Sequence, residues 1–243
     1  MKKVLIFDHL PNKVQNLINS VKRTAYIPET TDEPSGLLDS RFCGQPALKK
    51  GESHPACGCC ERPMPLLLQL NEKDVPDSAI DLNGGILQLF YCIECSDYEP
   101  FSKSHLVRVA NLNEENAVFS TEEIDSDIDL IEKRITGFTS SDDYPMWEER
   151  EKLNIGIAAK HLEDIEDDNE EVLTLCGEKL GGWPHWAQGV EYPNCPHCDS
   201  VMSHLFQIDS DRNISIMFGD MGVGHITQCA QHPDTLAFTW ACG

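Results

Sequence analysis

Hydrophobic and polar positions along this chain follow two periods. Val14, Leu17, Ile18 and Val21 recur at i, i+3, i+4 and i+7, which predicts an amphipathic helix over 12–25 with Pro11 near its start. The later apolar runs are too short for helices and are bounded by Pro and Gly. Leu66-Leu67-Leu68-Gln69-Leu70 and Ile86-Leu87-Gln88-Leu89-Phe90-Tyr91 predict buried strands. Runs at 105–110, 203–209, 214–218, 225–228 and 236–240 predict more strands, as do β-favouring runs at 3–7 and 128–138. A helix interrupted by Gly156 is predicted over 147–159. Residues 28–36 read as a polar linker, and 219–224 as a glycine-rich turn. Acidic runs at 122–127 and 163–168 read as solvated surface.

Cysteines then impose a second pattern. Cys57 and Cys60 precede Cys195 and Cys198 by 138 positions, and Cys92 precedes Cys229 by 137. His232 stands 137 positions after Cys95. Met64 and Gln69 fall on Met202 and Gln207 at the first offset. The spacing predicts an internal duplication. Each copy carries one four-donor metal site: Cys57, Cys60, Cys92 and Cys95 in the first, and Cys195, Cys198, Cys229 and His232 in the second. A Cys-x-x-Cys knuckle presents two thiolates on one side, and tetrahedral zinc needs a second pair from elsewhere. Four protein donors leave no open position, so two structural zinc ions are expected.

Cys195-Pro196-His197-Cys198 also matches a disulfide-oxidoreductase dithiol. That chemistry wants a thiolate at a helix start after a strand. Turn-forming Glu191-Tyr192-Pro193-Asn194 precedes it, and a run of strand length follows, which argues against redox catalysis. Cys43, Cys176 and Cys242 read as buried thiols, and Cys59 as a spare thiol inside a knuckle. Trp183 and Trp186 read as core, with an exposed aromatic anchor for a partner as the alternative. Asp209, Asp211 and Asp220 read as turn residues, with a carboxylate cluster for a cation or acid–base work as the alternative. No nucleophilic triad can be assembled.

Charge narrows the function classes. Asp plus Glu is 41 against 19 Lys plus Arg, a formal net charge of −22. Such a surface repels nucleic acid and anionic membranes and suits a basic protein or peptide. No apolar run approaches the roughly 20 residues of a membrane span, and the opening run is too short for a secretory signal. Eleven cysteines with metal-like spacing suit a reducing compartment, so a cytoplasmic location is expected.

The chain also resembles a known family. Ser40-Arg41-Phe42-Cys43-Gly44-Gln45-Pro46, Leu180-Gly181-Gly182-Trp183-Pro184, Phe206-Gln207-Ile208-Asp209-Ser210-Asp211 and Phe218-Gly219-Asp220-Met221-Gly222-Val223-Gly224 are similar to motifs of the bacterial YwqG family, a domain of unknown function. The resemblance implies a β-rich α+β fold with antiparallel sheets and an internal duplication. Cys43 stands where that pattern usually has a glycine. A weaker similarity, through the Cys-x-x-Cys pairs and a Leu-x-Gln-Leu-like strand, runs to the eukaryotic programmed-cell-death protein 2 group. These resemblances imply a chaperone-like or toxin-neutralising role.

The expected architecture is thus α+β and β-rich, with two antiparallel-sheet lobes, each holding a zinc knuckle. A lead-in occupies 1–32, the first lobe 33–112, an acidic connector 113–172 and the second lobe 173–243, the whole expected to form one domain. The expected function is non-enzymatic protein binding. The alternative is a metal-dependent enzyme using Asp209, Asp211 and Asp220.

Overall fold

The computed structural model describes residues 11–77, 79–125, 128–146, 148–149, 174–210 and 212–243. The predicted strand at 3–7 lies outside them, as does nearly all of the predicted helix at 147–159. Helix α1 (Asn12–Ser20) buries Val14 and Ile18, as its spacing requires. It ends five residues before the predicted boundary, because the chain turns at Val21 into a strand.

Among the described residues twelve strands follow: β1 (Arg23–Thr31), β2 (Arg41–Phe42), β3 (Ala47–Lys49), β4 (Leu66–Asn71), β5 (Ile86–Tyr91), β6 (His105–Ala110), β7 (Ala117–Phe119), β8 (Lys133–Asp143), β9 (Lys179–Gly181), β10 (Ser203–Asp209), β11 (Val223–Gln228) and β12 (Leu236–Ala241). Ten of them form one antiparallel sheet in the order β12-β11-β10-β9-β1-β8-β2-β4-β5-β6. Its end strands β6 and β12 touch, so the sheet is nearly closed. His105 of β6 lies edge-on to Phe238 of β12, with ring centroids 5.4 Å apart. Strands β3 and β7 form a separate two-stranded sheet.

The expectation of two separate sheets is therefore corrected. The lead-in and the first residues of the linker supply β1, and the stretch read as connector supplies β8, whose start falls in the strand predicted at 128–138. This central pair joins the two halves into one sheet. Pro28 sits inside β1 without disrupting it. Strand β9 pairs with β1 only at Ala25 and Tyr26, so one flank is free where Pro28 lacks its N–H. Residues 214–218 keep strand-like alternation, burying Ile214, Ile216 and Phe218, but join no ladder. Phe218 instead donates its backbone N–H to Ser210 Oγ at 3.0 Å.

The two flanks of the sheet match in detail. Strands β2-β4-β5-β6 run outward on one side of the central pair and β9-β10-β11-β12 on the other. The β4–β5 ladder has an irregularity between Leu66 and Leu68, and the β10–β11 ladder has one between His204 and Phe206, 138 positions later. The isolated bridges Ala56–Pro63 and Asn194–Val201 are also 138 apart.

Apolar side chains inside the near-closed sheet form the main core, including Phe42, Leu68, Leu70, Leu89, Phe206, Ile226 and Phe238. Polar residues occupy the opposite face in a directly paired row. Arg41, Gln69, Gln88 and Arg108 follow one another across β2, β4, β5 and β6, and Lys179, Gln207, His225 and Thr239 across β9 to β12. Most are buried, so each needs partners. Gln69 accepts from Ala47 N at 3.0 Å and donates to Asp39 O at 3.0 Å. Its counterpart Gln207 accepts from His185 N and donates to Gly177 O, both at 2.7 Å. This outer covering explains why β4 and β5 are buried on both faces.

Candidate metal centres

Both four-residue sets predicted from spacing converge. Within each set the donor atoms of Cys57, Cys60, Cys92 and Cys95, or of Cys195, Cys198, Cys229 and His232, all lie within 4.8 Å of one another. Strands and knuckles deliver them alike. Strand β5 ends at Tyr91 and hands on Cys92; β11 ends at Gln228 and hands on Cys229. The first cysteine of each early knuckle is pinned by backbone bonds: Cys57 N donates to Arg62 O and Cys195 N to Ser200 O, both at 2.9 Å. Cys57, Cys92 and Cys195 each accept on their carbonyl from the residue four positions on. Those residues, Glu61, Ser96 and Asp199, adopt positive φ of 61°, 35° and 58°, the left-handed turn that closes a knuckle. Met64 and Met202 each belong to a small buried cluster that includes cysteines of the neighbouring set.

The separations test the fit to a metal. Thiolates at about 2.3 Å from a tetrahedral zinc stand about 3.8 Å apart, and a thiolate and an imidazole nitrogen stand about 3.5 Å apart. Cys60 and Cys92 sulfurs are 3.6 Å apart, and those of Cys198 and Cys229 3.7 Å. His232 Nδ1 lies 3.7 Å from the sulfurs of both Cys195 and Cys229. Such distances exceed a disulfide's roughly 2.05 Å and match tetrahedral edges. The donor sets are able to hold two metal ions and are compatible with zinc.

Electrostatics within the clusters point the same way. Burial would raise the Cys57 thiol, but the N–H groups of Cys59 and Cys60 and neighbouring thiols hold it at about 7. Cys95 is pushed up, first by its hydrogen bonds with Cys60 and Cys57. The Ser200 hydroxyl and N–H draw Cys198 down to about 6. Once one thiol in a crowded set ionises, the others resist, and a divalent cation relieves that conflict.

The remaining candidates disperse. Cys43 is buried, and burial pushes its thiol up to about 12. Cys59 and Cys176 are exposed and Cys242 is half-buried, so the expectation of buried thiols is corrected for Cys176 and Cys242. Trp183 and Trp186 are buried, as expected of core. Asp209 Oδ1 accepts from Ser210 N at 2.9 Å, a turn contact, and Asp220 is exposed. Asp211 lies outside the described residues. Among the described residues, groups of three or more His, Cys, Asp or Glu donors this close occur at the two clusters. Sequence reasoning missed the buried polar row and its hub Asp143. Their partners lie tens of positions away, and only paired offsets such as Gln69 with Gln207 hinted at them.

The model of the family described as a domain of unknown function, DUF1963, matches residues 40–239, and the chain belongs to that family. No curated protein matches the chain.

Proposed function

We propose that this DUF1963 member is an internally duplicated, zinc-stabilised binding protein that captures a basic protein or peptide, in a chaperone-like or neutralising role. The observation that carries this reading is the pair of closed four-donor clusters, which use the metal as a staple and leave the acidic surface as the working part. The matched irregularities, bridges and glutamine contacts of the two flanks support the duplication. The motifs quoted above support a YwqG-like affiliation within it. Structural zinc contributes on the order of 10 kcal/mol per site in small domains, enough to hold each knuckle shut.

Metal analysis of the purified chain tests the scaffold. Two zinc per chain are expected, with Cys60→Ser and Cys198→Ser each losing one and Cys59→Ser losing none. Metal-free protein with fully titrating thiols in the folded state would refute it. Affinity capture from native lysate at low and moderate salt tests the binding role. A reproducible basic partner released by salt is expected, and capture of acidic or neutral proteins alone would overturn the basic-partner assignment.

A further inference from the structure

A groove runs beside the first cluster and has no sequence signature of its own. Two adjoining cavities of about 450 and 290 Å³ share Pro65 and Ile124. Their floor is apolar, formed by Pro65, Ile93, Ile124, Ile128 and Leu130. Carboxylates line them as well: Glu94, Glu122, Glu123 and Asp125 in the smaller cavity and Asp129 in the larger. Arg62 is the one lysine or arginine among their lining, which also has His54 in the larger cavity, and Arg62 pairs with Glu94 at 3.3 Å. Cys92 lines the smaller cavity, so the thiolates of a loaded first cluster add negative potential there. Gln45 Nε2 donates to Glu122 O at 3.2 Å and ties the acidic segment to the turn beside β2. The positions matching Arg62 and Glu94 in the second half are Ser200 and Gln231, which carry no charge. Apolar floor, acidic lining and a nearby anionic metal cluster thus coincide on one face.

We propose that this groove is the docking site for an extended basic peptide segment that seats an apolar side chain over Ile124 and Pro65 and sets flanking lysines or arginines against Glu122, Glu123 and Asp125. Charge complementarity commits it to a cationic occupant. A nucleic acid or an anionic lipid surface would meet five carboxylates. The apolar floor adds what charge alone does not, a reason for a short motif to sit in one register. The proposal rests on the basic-partner reading and names its site.

The test uses the zinc-loaded full chain and a fluorescent nonapeptide of lysine and glycine with a central leucine. Fluorescence anisotropy is read against the same peptide with glutamate for lysine. The wild type is expected to bind the lysine peptide and not the glutamate one, with affinity falling as salt rises. Glu122→Lys with Glu123→Lys is expected to weaken binding about tenfold, the size of two lost charge contacts. Glu114→Lys with Glu115→Lys makes the same net change at exposed positions outside the groove and is expected to cost less than about threefold by screening. Replacing the peptide's leucine by glycine should weaken wild-type binding several-fold. Equal losses in the two double variants, or no effect of the leucine, would overturn the groove while leaving the basic-partner reading intact. A wild type that binds both peptides alike, or neither, would overturn both. Zinc content and melting temperature confirm that each variant is folded.

Discussion

Asp143 offers the sharpest test of how the two halves are held. It ends β8 with its side chain fully buried and accepts four hydrogen bonds. Oδ1 takes Tyr144 N at 3.1 Å and Leu175 N at 2.8 Å; Oδ2 takes Trp183 N at 2.8 Å and Lys179 Nζ at 2.9 Å. Lys179 is also fully buried, and burial pulls its ammonium pKa down while Asp143 resists that fall. In Asp143→Asn the amide oxygen can keep the Tyr144 and Leu175 bonds. Its NH₂ then faces two donors, Trp183 N–H and the Lys179 ammonium, and the buried cation loses its counter-ion. Breaking one side of a buried pair costs about 3–5 kcal/mol. For a chain of this size that is a fall in Tm of roughly 6–20 °C. Thermal melts in excess zinc, with metal content checked, give the number. Zinc content should not change, because Asp143 is not among the eight donors. Adding Lys179→Met to Asp143→Asn removes the orphaned charge and should return about 2 kcal/mol. A single variant within about 1 kcal/mol of wild type, or a double variant no more stable than the single, would refute this account.

Other outcomes follow from the same packing. Burial holds His225 neutral with its pKa down at about 3, and His204, 5.6 Å away by ring centroids, is held well below its ordinary value for the same first reason. In the window from about 6.5 down to about 3 the unfolded chain binds a proton that native His225 refuses, so His225 costs about 1.4 kcal/mol of stability per pH unit as pH falls, and His204 acts in the same direction. His225→Gln, which places in β11 the residue found at the matching position Gln88, should flatten that slope relative to wild type in denaturant titrations between pH 6.5 and 5. An unchanged slope would show that other groups carry it. Gly182 has φ +70°, and a Cβ there would lie 2.3 Å from Asp143 Oδ2 and 2.8 Å from Ala25 Cβ, so Gly182→Ala should cost about 2–4 kcal/mol. Gly51, at φ +83° with open space around it, is the control, and Gly51→Ala should cost only about 1–2 kcal/mol. Arg41 is buried and donates to the carbonyls of Gly36, Asp39, Leu37 and Gln45. Arg41→Met should lower chemical-denaturation stability by about 3 kcal/mol by leaving acceptors unmet, and a loss under 1 kcal/mol would contradict that role.

The amino-acid sequence determined by itself whatever depends on local spacing. A knuckle is a turn of a few residues, so Cys57 with Cys60 and Cys195 with Cys198 declare themselves, and an equal offset pairs each with its closing donors. Buried strands such as 66–71 and 86–91 are legible for the same reason, since continuous apolar runs mark burial on both faces. Tertiary structure alone decided where the halves meet. Strands β1 and β8 pair across more than a hundred positions, from Arg23 with Asp143 to Thr31 with Arg134. Most of their residues are half-buried or exposed, so no hydrophobic period marks them. Their ladder is held by backbone hydrogen bonding across a long-range closure, which local composition does not encode. The Asp143 hub, the polar row and the groove share that origin: each is built from residues whose chemistry is ordinary alone and acquires meaning only from what folding brings beside it.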